Sequence, residues 1–462
     1  MPPGLLPQGI YFLSAGVRDV TDSIFTANSI LLIGNPQVVS PPAGNAQALR
    51  QLVENGNNLY IHIPAGLYHI DDSTVLRLKD GQVVYGDGPN DTILDGSGVT
   101  TSGLSPVLVL GNHTQISSLG IQNSVTGSGI SLNGQVSALV NNVFSTQNNG
   151  GGAVASGGAA LSIINSFLYN NQYDGATIEN GSYGVIVMTT AWNNVIDGLG
   201  ANTTASLSVD FCESYENSGV GTGYFSQSSG SVTRSFLHHN QKACLFVGQG
   251  SAVQNISNNR ISFGGSDGIG LDGQGSTVNV ISSNVIEGNV SGLTVNDSGA
   301  VQQMQQNTFS GNTNTNLSVI AGGVVTGSQN SYTGSNIGIG IGGANSKITL
   351  TSDTVTASQQ YGVMLEQTAS ATLTTLNVSS NNLNGISVGS GSKLTGSSLI
   401  ISGNKGFGFG INDSGSTATL SSVQINNNQN YGIIWFKSAG ASLVLQGSNA
   451  ISGNTPADEG IW

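Results

Sequence analysis

Apolar residues in this chain follow a short alternating pattern that returns at a nearly constant interval. A small residue, here called the anchor, is followed by an apolar residue, any residue and a second apolar residue. Neighbouring anchors lie 22 to 25 residues apart, and the two apolar positions are occupied as expected in 27 of 28 cases, with Thr222 as the exception. The anchors are Gly129, Gly152, Gly175, Gly198, Gly221, Ala243, Gly268, Gly292, Asn316, Gly338, Gly362, Gly385, Gly408 and Gly432. A period of two indicates β-strands, and so short a repeat excludes a pair of helices.

A column of asparagines recurs in step with the anchors. Its members follow one another at intervals of 23 residues: Asn148, Asn171, Asn194, Asn217 and Asn240. Strands of neighbouring coils in a solenoid lie about 4.8 Å apart, so matching residues stack above one another and their amides can hydrogen-bond along the column. The sequence therefore predicts an all-β fold, a parallel β-solenoid with coils of about 23 residues.

Two segments ahead of the repeats predict how the solenoid begins. "GNAQALRQLVEN" (44–55) has apolar residues at helical spacing and predicts a short N-terminal capping helix. "NLYIHIPAGLYHI" and "VVYGDGPNDTILDGSG", within 58–98, are similar to the opening coils of the pectate-lyase-like superfamily. The resemblance extends over nearly the whole chain and implies a right-handed parallel β-helix. We therefore expect an N-terminal arm and capping segment over 1–57 and a β-helix domain over 58–462.

Composition narrows the range of partners and locations. The net charge is −13 and no basic stripe is present to neutralise phosphates, so no nucleic-acid partner is expected. No run of about 18 apolar residues occurs, and no membrane span is expected. Cys212 and Cys244 are too few for a disulfide scaffold. The N-terminus lacks the charged start of a signal peptide, which leaves the export route open for what we expect to be an extracellular or cell-surface protein.

Ionisable side chains gather on a few coils near the middle of the chain. In polysaccharide-acting members of the superfamily that the chain resembles, catalytic groups usually lie on the outer face of one sheet at mid-length. The position before the anchor holds Asp174, Asp197, Lys242 and Asp267, and the fourth position after it holds Glu179 and Asp272. Glu216 and His239 lie four and three residues before the first of these columns. These columns predict a band of charged groups along one edge of the solenoid.

The columns also predict which of these groups are neighbours. Asp174 and Asp197 are expected at adjacent levels, where like charge raises the pKa of one of them. Lys242 is expected one coil from Asp267, and His239 one coil from Glu216.

The stretch "FLHHNQKACLF" (236–246) concentrates what positive charge the middle of the chain has. Residues 80 to 346 include only three lysines or arginines, and all three lie in or beside this stretch, next to a histidine pair: Arg234, Lys242, Arg260, His238 and His239. In a uronate polysaccharide lyase, His239 or Lys242 would act as the base, while arginines or a lysine would hold the uronate carboxylate. This concentration makes us favour a lyase slightly, although the overall acidity would repel a polyanion.

The alternative enzyme is a glycoside hydrolase or transglycosidase. Pairs of carboxylates with separated pKa values supply glycosidases with an acid and a base. The candidate acids for that chemistry are Asp174, Asp197, Glu216 and Asp267, with Arg234, Arg260, His238, Glu179 and Asp272 as further groups that contact the substrate.

A column of rings accompanies these charges. Tyr169, Trp192, Tyr215 and His238 follow one another at intervals of 23 residues. Outward-facing rings would suit stacking on sugar faces, and for that reason Trp192 and Tyr215 are candidate substrate-binding residues. We slightly favour an internal aromatic stack, which parallel β-helices often contain. The column lies one residue from that of Glu216 and His239, and adjacent strand residues face opposite ways, so both columns cannot point outward unless the chain turns.

The remaining alternatives concern binding, metal and assembly. A non-enzymatic adhesin or tail-spike-like glycan-binding protein fits the uniform Ser, Thr, Asn and Gly composition of the later coils. No zinc spacing or nucleotide fingerprint occurs, and no cofactor is assigned, although "GGSDGIGLDGQGS" (264–276) keeps calcium open. The expected partner is a polysaccharide, and the expected assembly is a monomer or a homotrimer. The preferred interpretation is an enzyme that cleaves a polysaccharide.

Overall fold

The structure is a computed structural model that describes residues 9–18, 24–33, 37–55, 57, 59–100 and 105–461. It divides into two compact units, Met1–Phe236 and Leu237–Trp462. The predicted arm over 1–57 lies partly outside the described residues, and its separation from a β-helix domain stays a prediction. Within it, Gly9–Arg18 and Ile24–Ile33 pair as antiparallel strands.

One short helix lies near the N-terminus, as predicted. It spans Ala46–Glu54, and the side chain of Asn45 caps it by accepting a hydrogen bond of 2.9 Å from the backbone N–H of Ala48. Leu49 and Val53 are buried on one face. The amide of Gln82 donates to the carbonyl oxygen of Val53 at 2.9 Å, which fixes the end of the helix.

Each coil of the first unit contributes strands to three parallel sheets. The first sheet contains Leu76–Arg77, Leu108–Val109, Ile130–Asn133, Ala153–Ser156, Ala176–Glu179, Leu199–Asn202 and Thr222–Tyr224. The second contains Val38–Val39, Tyr60–Ile63, Val83–Gly86, Ala160–Ile164, Tyr183–Val187, Ser206–Asp210 and Ser229–Thr233. The third contains Gly66–Asp71, Thr92–Gly98, Phe167–Tyr169, Thr190–Trp192 and Glu213–Tyr215. Thr114–Gln122 and Ser137–Thr146 are long enough to join both the second and the third.

The second unit repeats this arrangement. Its first sheet contains Leu245–Gly248, Asp267–Asp272, Ser291–Val295, Thr315–Ile320, Ile337–Gly342, Tyr361–Glu366, Asn384–Val388, Phe409–Ile411, Ile433–Trp435 and Glu459–Ile461. Its second contains Ala252–Ser257, Thr277–Ser282, Ala300–Gln305, Val324–Ser328, Lys347–Thr351, Ser370–Thr374, Lys393–Ser397, Thr417–Ser421 and Ser442–Gln446. Its third contains the last two residues of the strand Phe236–His238, followed by Arg260–Ser262, Val285–Glu287, Thr308–Ser310, Ser331–Thr333, Thr354–Thr356, Asn377–Ser379, Ile400–Ser402, Gln424–Asn426 and Ala450–Ser452. A 3-10 turn spans Lys437–Ala439.

The alternating pattern places its apolar members inside, as predicted. In the strand Ala176–Glu179, Ala176 and Ile178 are fully buried, whereas Thr177 and Glu179 point outward. The amide column is also present in the first unit. The backbone N–H and the side-chain amide of Asn171 both donate to Oδ1 of Asn194, at 3.1 and 3.0 Å. All-β parallel solenoid architecture is therefore confirmed.

The register of one coil differs from the prediction. Leu245 pairs with Ile269, and Leu245 and Val247 are the buried residues. The anchor of this coil is therefore Cys244 rather than Ala243, and Phe246 faces outward instead of inward. The same register puts Ala243, not Lys242, opposite Asp267, so the predicted shared column of Lys242 and Asp267 is wrong.

Candidate functional site

A surface cleft of about 530 Å³ lies on the outer face of the first sheet in the first unit. Two carboxylates line it, Asp174 and Glu179. The rest of the lining is small or uncharged: Pro106, Gly127, Ser128, Ser131, Asn133, Gly150, Gly151, Val154, Ser156, Tyr173, Thr177 and Asn202. The cleft therefore combines acidic groups with hydroxyl and amide groups on a rigid sheet.

Asp174 is held in place by two hydrogen bonds. Its Oδ1 accepts from the backbone N–H of Asp197 at 2.9 Å, and its Oδ2 accepts from the hydroxyl of Thr177 at 2.6 Å. Burial raises the pKa of Asp174, and the charge of Glu179 adds to the rise, while the two hydrogen bonds oppose it. The predicted adjacency to Asp197 is present, but burial and Glu179 are the causes of the raised pKa that the structure identifies.

The carboxyl of Asp174 opens toward the cleft. Thr177 pairs with Gly200 on the next coil, and a Cβ added at Gly200 would lie 3.5 Å from Oδ2 of Asp174. Because Gly200 has no side chain, the space above it stays clear beside this oxygen. Oδ2 of Asp174 is therefore not covered by a side chain at position 200.

The side chain of Asp197 is bonded to the following coil. Its Oδ1 accepts a hydrogen bond of 2.8 Å from the backbone N–H of Val220, just as Asp174 accepts from Asp197. Asp197 is 9% exposed, which limits its contact with a ligand. The aspartate column thus ties successive turns together.

A second pair of carboxylates lies on the first sheet of the second unit. Asp267 accepts a hydrogen bond of 2.5 Å from the Thr294 hydroxyl, and Asp272 accepts one of 3.0 Å from the amide of Asn296. Burial, helped by the charge of Asp272, raises the pKa of Asp267. The spacing of the two acids along the strand is the same as that of Asp174 and Glu179.

Phe246 lies beside this second pair of acids. The alternating sequence pattern did not identify it as a surface residue, because it predicted that Phe246 points inward. A Cβ added at Gly270 would lie 3.2 Å from the Phe246 ring and 3.5 Å from Oδ2 of Asp267. A signal for its orientation existed: each earlier ladder asparagine precedes its anchor by four residues, and Asn240 precedes Cys244 by the same distance.

The two arginines are bound to carboxylates elsewhere. Arg234 forms an ion pair with Asp210, with its Nε 2.9 Å from Oδ1, and its guanidinium lies 4.2 Å from the centre of the Phe211 ring. Arg260 pairs with Glu287 at 2.9 Å on the third sheet. Neither arginine lines the cleft, so proximity in sequence does not put these charges at one surface.

The remaining candidates from "FLHHNQKACLF" lie in the second unit. Nδ1 of His238 and Nδ1 of His239 are hydrogen-bonded at 2.8 Å, and the His239 ring stacks on Phe263 with centres 5.0 Å apart. Lys242 is exposed in the turn before the first sheet. Glu216 is exposed in the first unit, and its predicted proximity to His239 stays a prediction.

The aromatic column faces outward, so the favoured internal stack is wrong. Tyr169 and Trp192 stack with centres 4.1 Å apart at 6°, and Trp192 and Tyr215 with centres 6.0 Å apart at 3°. Leu168 and Ala191, which precede two of these rings, are the buried residues.

Positive φ angles explain how two adjacent residues, an aromatic ring and the polar residue after it, can both point outward. Glu216 has φ 53°, and Asn193 in the matching turn has φ 51°. The chain therefore turns immediately after each ring, and adjacent residues both reach solvent. The rings cover one another's faces, which leaves mainly their edges for a ligand.

The described part of the chain contains neither a candidate metal-binding cluster nor a candidate membrane-spanning helix. No group of three or more His, Cys, Asp or Glu residues that could hold a metal ion occurs there. Among the same residues, no helix has the length and apolar character needed to cross a membrane.

The chain matches a known protein family over most of its length. The family described as "Right handed beta helix region" matches residues 102–256 and 291–455. A search of curated protein sequences finds no match.

Three solved structures illustrate the likeness. The A-module of mannuronan C-5 epimerase AlgE6 from Azotobacter vinelandii is 14% identical, with 89% of this chain and 95% of that chain covered and a TM-score of 0.40. The catalytic domain of a GH87 alpha-1,3-glucanase in complex with tetrasaccharides is 13% identical, with 78% and 68% covered and a TM-score of 0.41. A tailspike protein from Acinetobacter baumannii bacteriophage Fri1, a capsular polysaccharide depolymerase, is 11% identical, with 67% and 61% covered and a TM-score of 0.35. Identities this low speak to the fold alone.

Proposed function

The chain belongs to the family of right-handed β-helix regions, and we propose that it uses this scaffold as a carbohydrate-active enzyme that hydrolyses a polysaccharide at the cleft of the first unit. The observation that carries the proposal is the carboxyl group of Asp174, whose pKa is raised, in one cleft with a second carboxyl group. Burial keeps Asp174 protonated to a higher pH than an ordinary aspartate, and Glu179 shares the lining. Two carboxyl groups in different environments are what glycoside hydrolysis requires.

The roles follow from protonation. Asp174 donates its proton to the glycosidic oxygen as the bond from that oxygen to the anomeric carbon breaks. Glu179, as a carboxylate, either takes a proton from the attacking water or attacks the anomeric carbon itself. In both routes water supplies the new hydroxyl group, and Asp174 is reprotonated before the next turnover. The anomeric form of the first product distinguishes the two routes.

Tyr173 supplies the apolar surface that a sugar ring needs. It lies in the turn before the strand Ala176–Glu179, lines the cleft and is 54% exposed. An exposed ring next to an acid gives a pyranose both a stacking face and a proton donor. A polymer is too large to cross a membrane unaided, so we further propose that the protein works outside the cytoplasm.

The alternative chemistry, β-elimination from a uronate, has less support. It needs a cation beside the substrate carboxylate, yet the lining of the cleft in the first unit contains none. Arg234 is paired with Asp210 and Arg260 with Glu287, and the exposed Lys242 lies in the second unit. The second unit offers a second candidate hydrolytic site, favoured by the position of the Phe246 ring over the space beside Asp267.

The test is a panel of neutral and uronic polysaccharides followed by reducing-end release and by absorbance at 235 nm. We expect reducing ends without new absorbance, lost in Asp174→Asn and Glu179→Gln and retained in Asp267→Asn and Asp272→Asn. The reverse pattern of variants would move the site to the second unit. New absorbance at 235 nm would replace hydrolysis by elimination, and silence in both assays across the panel would overturn the enzyme proposal in favour of a binding protein.

A further inference from the structure

The charge of the cleft restricts what it can hold. Its described lining contains the carboxyl groups of Asp174 and Glu179 and no lysine, arginine or histidine. The whole chain carries −13, so the long-range field also repels anions. A bound uronate or sulfated sugar would bring its negative charge beside Glu179 without a cation to neutralise it.

The neutral groups of the lining are suited to hydroxyls. Asn133, Ser156 and Asn202 occupy matching outward positions on the sheet, in the same column as the acid Glu179. The amide of Asn180 donates to the Ser156 hydroxyl at 2.9 Å, which leaves the hydroxyl proton of Ser156 to donate outward. Amides and hydroxyls at the spacing of neighbouring strands offer both donors and acceptors to the hydroxyl groups of a sugar.

Glycines in and beside the cleft leave part of the sheet surface without side chains. Gly127, Gly150 and Gly151 line the cleft. Gly200, on the coil after that of Thr177, has no side chain to cover Oδ2 of Asp174. Side chains therefore do not crowd the sheet, and a pyranose ring can lie flat against it with Tyr173 at the edge.

We infer that the substrate is a neutral polysaccharide, one whose residues in the cleft carry hydroxyl groups and no carboxylate or sulfate. This inference rests on the proposed function, since it assigns a substrate class to the same cleft. It runs against the slight preference for a uronate polymer that the basic residues of the sequence suggested.

The experiment compares polysaccharides that differ in charge alone. Soluble neutral glucans, mannans and galactans are used as such and after selective oxidation of their primary alcohols to carboxylates. Binding is measured with Asp174→Asn, which lacks the acid, so that affinity does not depend on turnover. We expect a neutral member to bind and its oxidised form to bind at least about tenfold more weakly at low salt. The difference should narrow in 0.5 M salt, because exposed charges are then screened.

A charge variant provides the matched control. Asn202 pairs with Glu179 on the neighbouring coil, so Asn202→Lys in the Asp174→Asn background should reduce the discrimination against the oxidised form. Ser162→Lys adds the same charge on the outer face of the second sheet, away from the cleft, and should leave the discrimination unchanged.

The outcomes separate the two proposals. Equal or tighter binding of oxidised polymers, or no binding of any neutral member, would overturn the inference. Neutral binding without reducing ends from the wild-type protein would keep the inference and overturn hydrolysis. Hydrolysis of uronate polymers in preference to neutral ones would keep the proposed hydrolysis and overturn the inference of a neutral substrate.

Discussion

The backbone N–H of Asp197 donates a hydrogen bond of 2.9 Å to Oδ1 of Asp174, so the acid of the cleft is positioned by the aspartate of the next coil. This contact fixes one oxygen and leaves Oδ2 beside Thr177 and the open space above Gly200. Under the proposed function, a turn residue that repeats along the solenoid acts as the acid where no side chain covers the surface beside it.

Asp174→Asn should remove activity and preserve the fold. The amide oxygen of asparagine still accepts from Asp197, but the side chain has no acidic proton to donate. We expect kcat to fall by about 10² to 10⁴, with a melting temperature close to that of the wild-type protein. Activity is measured by reducing ends and stability by circular dichroism. Asp267→Asn is the control in the second unit, and equal losses in both variants would contradict the assignment.

Thr177→Val should move the alkaline limb of the pH profile upward. The Thr177 hydroxyl bonds the carboxylate form of Asp174 and lowers its pKa against the effect of burial. Without that bond the pKa of Asp174 rises further, and the acid stays protonated to higher pH. The dependence of kcat/KM on pH reports this directly. Thr190→Val, on the third sheet, should leave the limb in place, and a downward shift in Thr177→Val would show that Asp174 is not the acid.

The sequence predicted the coils because their signals are redundant. Anchors, alternating apolar residues and ladder asparagines all repeat with the same period, and only one fold satisfies them together. The error at Ala243 arose where two small residues, Ala243 and Cys244, stand side by side. The asparagine four residues before each anchor was the signal that settles such a case.

The facing of the turn residues was harder to predict. Alternation holds along a strand, but a left-handed residue such as Glu216, with φ 53°, breaks it at the corner. The pairing of Arg234 with Asp210 was equally hidden, since the two are 24 residues apart and meet at a corner. The columns of the sequence therefore identified the two acids of the cleft. They also grouped Arg234 and Arg260 with these acids, whereas both arginines pair with carboxylates elsewhere.

Asn194→Ala should destabilise the solenoid far more than a change at its neighbour. Oδ1 of Asn194 accepts two hydrogen bonds from Asn171, and its amide donates to Oδ1 of Asn217 at 2.9 Å. Removing it leaves buried donors and acceptors without partners, at a cost of about 3 kcal/mol. Asn193 is exposed with φ 51°, so Asn193→Gly keeps its conformation and should cost less than about 0.5 kcal/mol. Similar urea midpoints for both variants would show that the ladder adds little.

Asp353→Asn should stabilise the protein at neutral pH. Asp353 is 1% exposed, and its Oδ1 accepts from the backbone N–H and the amide of Asn330 at 2.6 and 2.8 Å. Its Oδ2 has no hydrogen-bond partner among the described residues. Burial raises the pKa of Asp353 from 3.8 to about 6, so the folded state binds a proton more tightly than the unfolded state does.

Because the pKa of Asp353 is higher in the folded state than in the unfolded state, the free energy of unfolding falls as the pH rises. Stability contributed by the neutral Asp353 is complete below about pH 4 and is lost as the pH rises to about 6, with a total loss of about 3 kcal/mol. Asp353→Asn removes this dependence, so its advantage should grow from pH 4 to pH 7 in urea unfolding. A constant difference between the two proteins at all pH values would contradict the titration.

Tyr173→Ala and Trp192→Ala should separate binding from stability. Tyr173 is 54% exposed in the cleft, so its loss should weaken glycan binding by about 1 kcal/mol, or roughly fivefold in Kd, with little change in melting temperature. Trp192 stacks between Tyr169 and Tyr215, so its loss should cost about 1 to 3 kcal/mol of stability and leave Kd unchanged. Calorimetric titration and thermal unfolding measure both quantities for each variant. If Trp192→Ala lost the affinity and Tyr173→Ala kept it, the ring edges of the third sheet, and not the cleft, would be the surface that holds the polysaccharide.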